Sequence, residues 1–283
     1  MFSNKKIVYV FVTLGNESLK ETSKSFFDKI FKKKQTAAPK KIINDIHPLS
    51  ERLIFSIAKH TDNKCLSFYL NLENTHEDFL NLINEANAER YYIFPLFPQY
   101  CNQISFIANY FSINISDKII DRFFWIKSYH HHHLFIKSIE RSISNLMKKD
   151  NLDQKNTLFL FAASNSSKEN SLYLFECENT SQKIIKSYPY VEGSLHYYPE
   201  NLQTLDHLND NHRKIIIIIP ISTLINDEET QESLKSIKDY LENQKKNVFI
   251  CNTLNESSFF IRSVLDIIEE KNYLTNKMLL TLS

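Results

Sequence analysis

The chain has 283 residues, 42% hydrophobic and 24% charged, which fits one large or two small soluble domains. Its formal net charge is +1, so no field of one sign would attract nucleic acid or an anionic membrane. Its two glycines, Gly15 and Gly193, lie too far apart for a glycine-rich phosphate loop. No apolar stretch approaches the ~20 residues of a membrane span. We therefore expect a cytoplasmic protein with no nucleic-acid partner and at most peripheral membrane contact.

Runs of β-branched and aromatic residues recur along the chain and predict eight strands. Because these runs do not alternate with polar residues, the strands should be buried on both faces, as in a parallel sheet covered by helices. The clearest case is the pentapeptide IIIII at 215–219. The predicted strands span residues 6–13, 64–70, 90–97, 118–124, 156–163, 182–188, 213–222 and 246–253.

Amphipathic patterns between these runs predict helices that alternate with the strands. The predicted helices span residues 16–34, 75–88, 102–113, 131–148, 199–209, 227–244 and 255–270. This alternation predicts the α/β class with right-handed crossovers, as two similar Rossmann-like lobes, each a parallel four-stranded sheet flanked by helices. The polar stretch 147–156 is the predicted joint between lobes 1–150 and 151–283, and the C-terminal helix is expected to pack back on the first lobe.

Ligands of such folds bind beyond the carboxyl ends of the strands, so the strand exits are the candidate sites. Gly15 follows the first strand, where a tight turn or a close ligand would need glycine. Tyr100 follows a strand end that two prolines make rigid, and it is either a pocket wall or a core aromatic. Glu228 and Glu229 open the helix after the seventh strand, where they either complement the helix dipole or supply a metal ligand or proton acceptor.

Five segments of the chain resemble segments of ferrochelatases, in the order of that family. They are VTLGN (12–16), PLFPQYC (95–101), VEGSLHYYPENLQTL (191–205), PISTLINDEET (220–230) and TLNESSFFIRSVLDII (253–268). The resemblance implies a porphyrin cleft between two α/β lobes and a lyase that inserts Fe²⁺ into a porphyrin in haem biosynthesis. The implied partners are Fe²⁺, as a substrate, and protoporphyrin IX or coproporphyrin III. No permanently bound cofactor is implied.

The resemblance also assigns site residues. The family's glutamate falls on Glu229, with Asp227 as a second metal ligand, while the position of the family's catalytic histidine falls on Ser164. A serine hydroxyl has no basic lone pair near pH 7 and cannot replace imidazole as a proton acceptor. The implied substrate-binding residues are Gly15, Tyr100, Asn165 and His196.

Three functions remain open at this point. The first is a diverged ferrochelatase in which Glu229 acts with Asp227 or His196. The second is a catalytically impaired homologue that binds tetrapyrrole. The third is a cobalt or sirohydrochlorin chelatase, a class that shares the fold and uses two histidines, neither of which is seen at the predicted strand exits.

Four consecutive histidines, 130–133, lie at the start of the predicted helix 131–148. In a helix, His130 and His133 would be i,i+3 neighbours able to chelate a divalent ion. Four consecutive residues point around a helix, however, and cannot all face one ion. We therefore interpret the run as a solvated helix start.

Overall fold

A computed structural model describes residues 6–14, 49–225, 228–255 and 257–275. The predicted helix 16–34, Gly15 and Asp227 lie outside the described residues. The chain divides into two compact units, the first formed by residues 1–95, 103–126 and 274–283 and the second by residues 96–102 and 127–273. Residue 150, the predicted lobe boundary, thus lies inside the second unit.

The strands and α-helices of the described residues follow one another largely in the predicted order. The strands are β1 (Ile7–Thr13), β2 (Lys64–Tyr69), β3 (Arg90–Pro95), β4 (Phe123–Ile126), β5 (Thr157–Ser164), β6 (Glu192–Tyr198), β7 (Ile215–Pro220), β8 (Asn247–Ile250) and β9 (Leu274–Thr275). The helices are α1 (Leu49–Ala58), α2 (His76–Ala86), α3 (Asn102–Asn114), α4 (Asp117–Ile120), α5 (His133–Lys149), α6 (Ser171–Ile185), α7 (Glu228–Asn243) and α8 (Ser258–Glu269). The predicted helix 199–209 forms instead a 3₁₀ helix, Leu202–Leu208.

Each unit contains one sheet, and the four parallel strands of the two sheets follow the same order. The first sheet has the order β2-β1-β3-β4-β9 and the second the order β6-β5-β7-β8. All neighbouring strands are parallel except β4 and β9, which pair antiparallel through Trp125–Thr275 and Ile126–Leu274. The first sheet therefore has one strand more than predicted, because residues near the C-terminus pair with β4.

Two predicted strands were placed wrongly. Residues 182–188 do not form a strand, since α6 continues to Ile185 and buries Ile184 completely in its last turn. The edge strand of this region is β6, which begins after it at Glu192. The predicted strand 118–124 is displaced towards the C-terminus, because the single-turn helix α4 occupies its first part and β4 starts at Phe123.

Aromatic side chains fill the core of the first unit. Phe68 of β2 packs with its ring centroid 5.0 Å from that of Phe79 on α2 and 4.8 Å from that of Phe111 on α3. Phe111 also contacts Phe123 on β4, with 5.9 Å between the ring centroids. Such tilted and edge-on contacts add to the burial of apolar area, so this cluster fixes α2 and α3 on one face of the sheet.

The second unit buries both faces of its sheet, as the continuous apolar runs predicted. On one face, Leu158, Leu160 and Ile218 form a cluster with Leu234 and Ile237 of α7. The alternate residues of the same strands point the other way, and Phe159 lies 5.0 Å, centroid to centroid, from Tyr188 after α6. Helix α5 packs on α6 and α8 within this unit.

Replacement of Gly193 on β6 by alanine is expected to destabilise the second unit. A Cβ atom there would overlap the Ile185 side chain and lie 3.1 Å from Phe161 Cε2. The nearest atom is Ile185 Cδ1, the end of a partly exposed side chain that can rotate, so we expect a loss near the lower end of the roughly 1–3 kcal/mol that overpacking costs in the free energy of unfolding. Urea unfolding of Gly193→Ala measures this loss, with Ser194→Ala as the neighbouring control on the same strand. Equal stabilities of the two variants would contradict the predicted close packing.

Candidate functional site

The strand exits of the second unit converge at the carboxyl edge of its sheet. Strand β5 lies between β6 and β7, with Ser164 opposite Tyr198 and Ala162 opposite Pro220. Parallel neighbours end at the same edge, so the segments after β5, β6 and β7 lie side by side. This is the edge at which α/β folds bind ligands, and it is the candidate site.

Ser164 ends β5, and its polar groups are engaged with neighbouring residues. Its hydroxyl oxygen accepts the Ser166 N–H at 3.3 Å and lies 3.1 Å from Ser166 Oγ. Its carbonyl oxygen accepts the Tyr173 hydroxyl at 2.6 Å, and its N–H donates to Ser222 Oγ at 2.8 Å. Ser164 therefore caps the 3₁₀ turn that follows it and ties β5 to the exit of β7, without offering a base.

The next residues join the exit of β5 to the exit of β6. The Asn165 side-chain amide donates to the Pro199 carbonyl oxygen at 2.6 Å. Lys168 forms an ion pair with Glu200, and its Nζ lies 5.4 Å from the centroid of the Tyr197 ring. The edge thus carries a cation, a carboxylate and an aromatic ring close together, a combination that can contact a flat ligand bearing carboxylates.

His196 lies on β6 and is buried, with 4% of its surface exposed. Its Nδ1 is 3.4 Å from Thr204 Oγ1, while its Nε2 has no hydrogen-bond partner among the described residues. Burial lowers its pKa, so the ring is neutral at pH 7. The predicted role of His196 in substrate binding would require this buried nitrogen to be reached from the edge.

Glu229 is the second residue of α7, directly downstream of the β7 exit. Helix α7 follows β7, which is the parallel neighbour of the strand that ends at Ser164. The Glu229 side chain lies outside what the structure describes.

Tyr100 belongs to the 96–102 segment of the second unit and is 8% exposed, so it is a core aromatic in this unit. Its backbone N–H donates to Glu176 Oε2 on α6 at 2.6 Å. The preceding Gln99 is buried and donates from Nε2 to the Ile221 carbonyl oxygen at 3.1 Å, just beyond β7. These two bonds hold the segment next to the strand exits.

Glu176 is the centre of a buried polar network that sequence reasoning missed. The Ser128 hydroxyl lies 2.8 Å from Glu176 Oε2 and 2.7 Å from His130 Nδ1, so it can donate to the carboxylate and accept from the imidazole. Burial raises the pKa of Glu176 and lowers the pKa of His130 to about 4. The sequence signal was a carboxylate in the largely apolar stretch LYLFECE at 172–178, with no indication of its partners.

A family model described as Ferrochelatase matches residues 46–272. The chain belongs to the ferrochelatase family. No match is found among curated proteins.

This ferrochelatase-family chain is also similar to solved structures. One is the sirohydrochlorin chelatase SirB from Bacillus subtilis subspecies spizizenii in complex with cobalt, at 12% identity and a TM-score of 0.61 over 93% of this chain and 94% of that one. Another is CbiX, the terminal enzyme of sirohaem biosynthesis in denitrifying bacteria, at 11% identity and a TM-score of 0.59 over 93% and 98% of the two chains. Identities this low show the fold alone. The TM-scores confirm the predicted chelatase-like α/β fold.

Within the described part of this ferrochelatase-family chain, no helix is both long enough and apolar enough to cross a membrane.

Proposed function

We propose that the protein inserts a divalent metal ion into a tetrapyrrole, with Fe²⁺ and a porphyrin as the first substrates to test. The supporting observation is that β5, which ends at Ser164, and β7, which leads to the acidic start of α7, are neighbouring parallel strands of one sheet. Family membership supports the same reaction.

The chemistry requires a proton acceptor at this edge. Two pyrrole N–H protons leave the macrocycle as the doubly charged ion enters, so the charge of the complex balances. In the proposal, Asp227 and Glu229 first bind the incoming ion. Once the ion has passed to the macrocycle, Glu229 accepts the two pyrrole protons one after the other and passes each to solvent. The N-terminus of α7 favours the ionised carboxylate there. Asn165 and His196 of the second unit are proposed to contact the macrocycle.

A direct assay tests the proposal. Purified protein is mixed with Fe²⁺ or Zn²⁺ and protoporphyrin IX or coproporphyrin III, and the metalloporphyrin absorbance is followed over time. Co²⁺ with sirohydrochlorin forms a third arm, because the structurally similar SirB is a sirohydrochlorin chelatase seen with cobalt. A rate above that of protein-free controls in any arm supports chelation and identifies the substrate class. If no arm shows a rate above its protein-free control, the proposed chelatase activity is contradicted.

A second function, tetrapyrrole binding without turnover, is favoured by the role of Ser164. Its hydroxyl caps the turn after β5 at the position where the resemblance places the family's histidine, so no imidazole is available there. Quenching of porphyrin fluorescence at micromolar protein, without metal insertion, would support this function.

Substitution of Ser164 by histidine is expected to raise the rate of metal insertion. A positioned base typically contributes about 10²–10⁴-fold to a proton-transfer step. We therefore expect a gain of at least about tenfold over the wild-type rate, since the new side chain is not perfectly placed. The matched control is Ser164→Asn, because asparagine preserves the turn cap without adding a base. Equal rates for both variants would show that the missing imidazole does not limit the reaction.

A further inference from the structure

Two of the four consecutive histidines meet a distant glutamate at the start of α5. His132 is the N-cap of α5, His133 is its first residue, and Glu270 follows the last turn of α8. One ring nitrogen from each histidine and one carboxylate oxygen all lie within 4.8 Å of one another. The three residues belong to the second unit, and none lies in the segments that directly follow β5, β6 and β7.

We propose that His132, His133 and Glu270 form a binding site for a divalent transition-metal ion such as Zn²⁺ or Co²⁺. Two imidazoles and one carboxylate are a ligand set that suits these ions, and three protein ligands leave one tetrahedral position for water. With metal–ligand bonds of about 2.0–2.2 Å, tetrahedral ligand atoms lie roughly 3.4 Å apart. The observed separations, from 2.9 Å between His132 Nε2 and Glu270 Oε1 up to 4.8 Å, span this value.

The surroundings combine one fixed ligand with two accessible ones. The His132 side chain is 1% exposed, and its ring lies edge-on to Tyr273 with 5.0 Å between centroids. The Glu270 side chain is 41% exposed and His133 is exposed, so an ion can enter from solvent. His130, which the sequence placed with His133, contacts Ser128 and Glu176 instead.

Without a metal, the His132–Glu270 contact is a hydrogen bond. The Leu134 N–H donates to His132 Nδ1 at 3.3 Å, so in the neutral ring the proton is on Nε2 and is donated to Glu270. Metal ligation at Nε2 moves the ring proton to Nδ1, and the Leu134 N–H then loses this acceptor. The free energy of metal binding must compensate for the loss of the hydrogen bond from Leu134 N–H to His132 Nδ1. We therefore expect a lower affinity than for a site whose ligand nitrogen carries no proton beforehand.

Equilibrium titration of the full chain, freed of any affinity tag, tests the site. Zn²⁺ affinity is measured by competition with a chromophoric chelator, and bound Co²⁺ by its visible absorption. The titration uses a chain that carries Asp227→Asn and Glu229→Gln, so that the proposed chelation ligands do not bind a second ion. In this chain we expect one ion, and a loss of at least about tenfold in affinity for His133→Ala, for Glu270→Gln and for His132→Asn. Glutamine at 270 can still accept the His132 hydrogen bond, and asparagine at 132 still caps α5, so these variants separate ligation from folding.

The matched control is His131→Ala, since His131 is an exposed member of the same run that lies outside the cluster. Its affinity should equal that of the parent chain with the three ligands intact. An equal loss for His131→Ala and His133→Ala would show unspecific binding to the histidine run and overturn the proposal. Unchanged affinity in Glu270→Gln, or no binding by the parent chain, would also overturn it. Because the readout is binding and not turnover, the outcome is independent of the chelatase assay.

Discussion

Substitution of Glu229 by glutamine is expected to lower the rate of metal insertion by about 100-fold or more, the lower range for loss of a general base. Glutamine has nearly the same shape but does not accept a proton near neutral pH. Porphyrin binding should persist, because the change removes one proton acceptor and leaves the rest of the edge intact. Initial rates of metalloporphyrin formation measure the first effect, and porphyrin fluorescence quenching measures the second.

The neighbouring residue supplies the control for this experiment. Glu228→Gln removes the same charge from the same helix turn, so it reproduces any general effect on the helix dipole. Successive residues of an ideal helix are rotated by about 100° about its axis, so a proton acceptor that acts by its position is not expected at both 228 and 229. The Glu228 variant should keep its rate within about fivefold, because dipole effects of this size are worth less than ~1 kcal/mol. Equal losses in both variants would show that charge, and not a specific side chain, matters there.

Substitution of Glu176 by alanine is expected to reduce the free energy of unfolding by about 2–4 kcal/mol. The change leaves the Tyr100 N–H and the Ser128 hydroxyl without the carboxylate that accepts from them, and it opens a cavity beside α6. Because Tyr100 lies in the segment held next to the strand exits, the same change should loosen that segment. Urea unfolding measures the stability, and hydrogen exchange at residues 96–102 measures the local effect.

Glu176→Gln should behave differently, since an amide can keep both accepted hydrogen bonds. Burial raises the pKa of Glu176 above its ordinary value of 4.5, so the folded chain binds this proton more tightly than the unfolded chain. Stability from this group is therefore full below pH 4.5 and is lost as the pH rises through the raised pKa. The glutamine variant cannot lose a proton, and its stability relative to wild type should increase over that window. A difference that stays constant with pH would contradict the raised pKa.

The sequence predicts the central strands because each is buried on both faces. The runs at β1, β3, β5 and β7 are apolar except at their end residues, and local composition alone indicates them. Strand β6 has no such run, since it is an edge strand with polar residues and Gly193. The Ile184–Ile185 pair before it has strand-like composition, but Asn170 caps a helix that extends through both residues.

The sequence indicates which strand exits to examine, but not the polar contacts made there. Strand order and the resemblance predict that Ser164 and Glu229 belong to one site, and this stays a prediction because the Glu229 side chain lies outside the described residues. The Glu176 network joins residues 100, 128, 130 and 176, which no periodic pattern relates. The cluster of His132, His133 and Glu270 likewise depends on where α8 ends relative to α5. Long-range contacts of this kind exist only once the chain has folded.

The pairing of β9 with β4 also has a consequence for the order of folding during synthesis. The last strand of the first sheet leaves the ribosome after the whole of residues 127–273. Until then, Trp125 and Ile126 of β4 have no partner strand on that side within the described chain. The nascent second unit can therefore assemble before the first sheet is complete. A released chain that ends before residue 274 would have one finished sheet and one open strand edge.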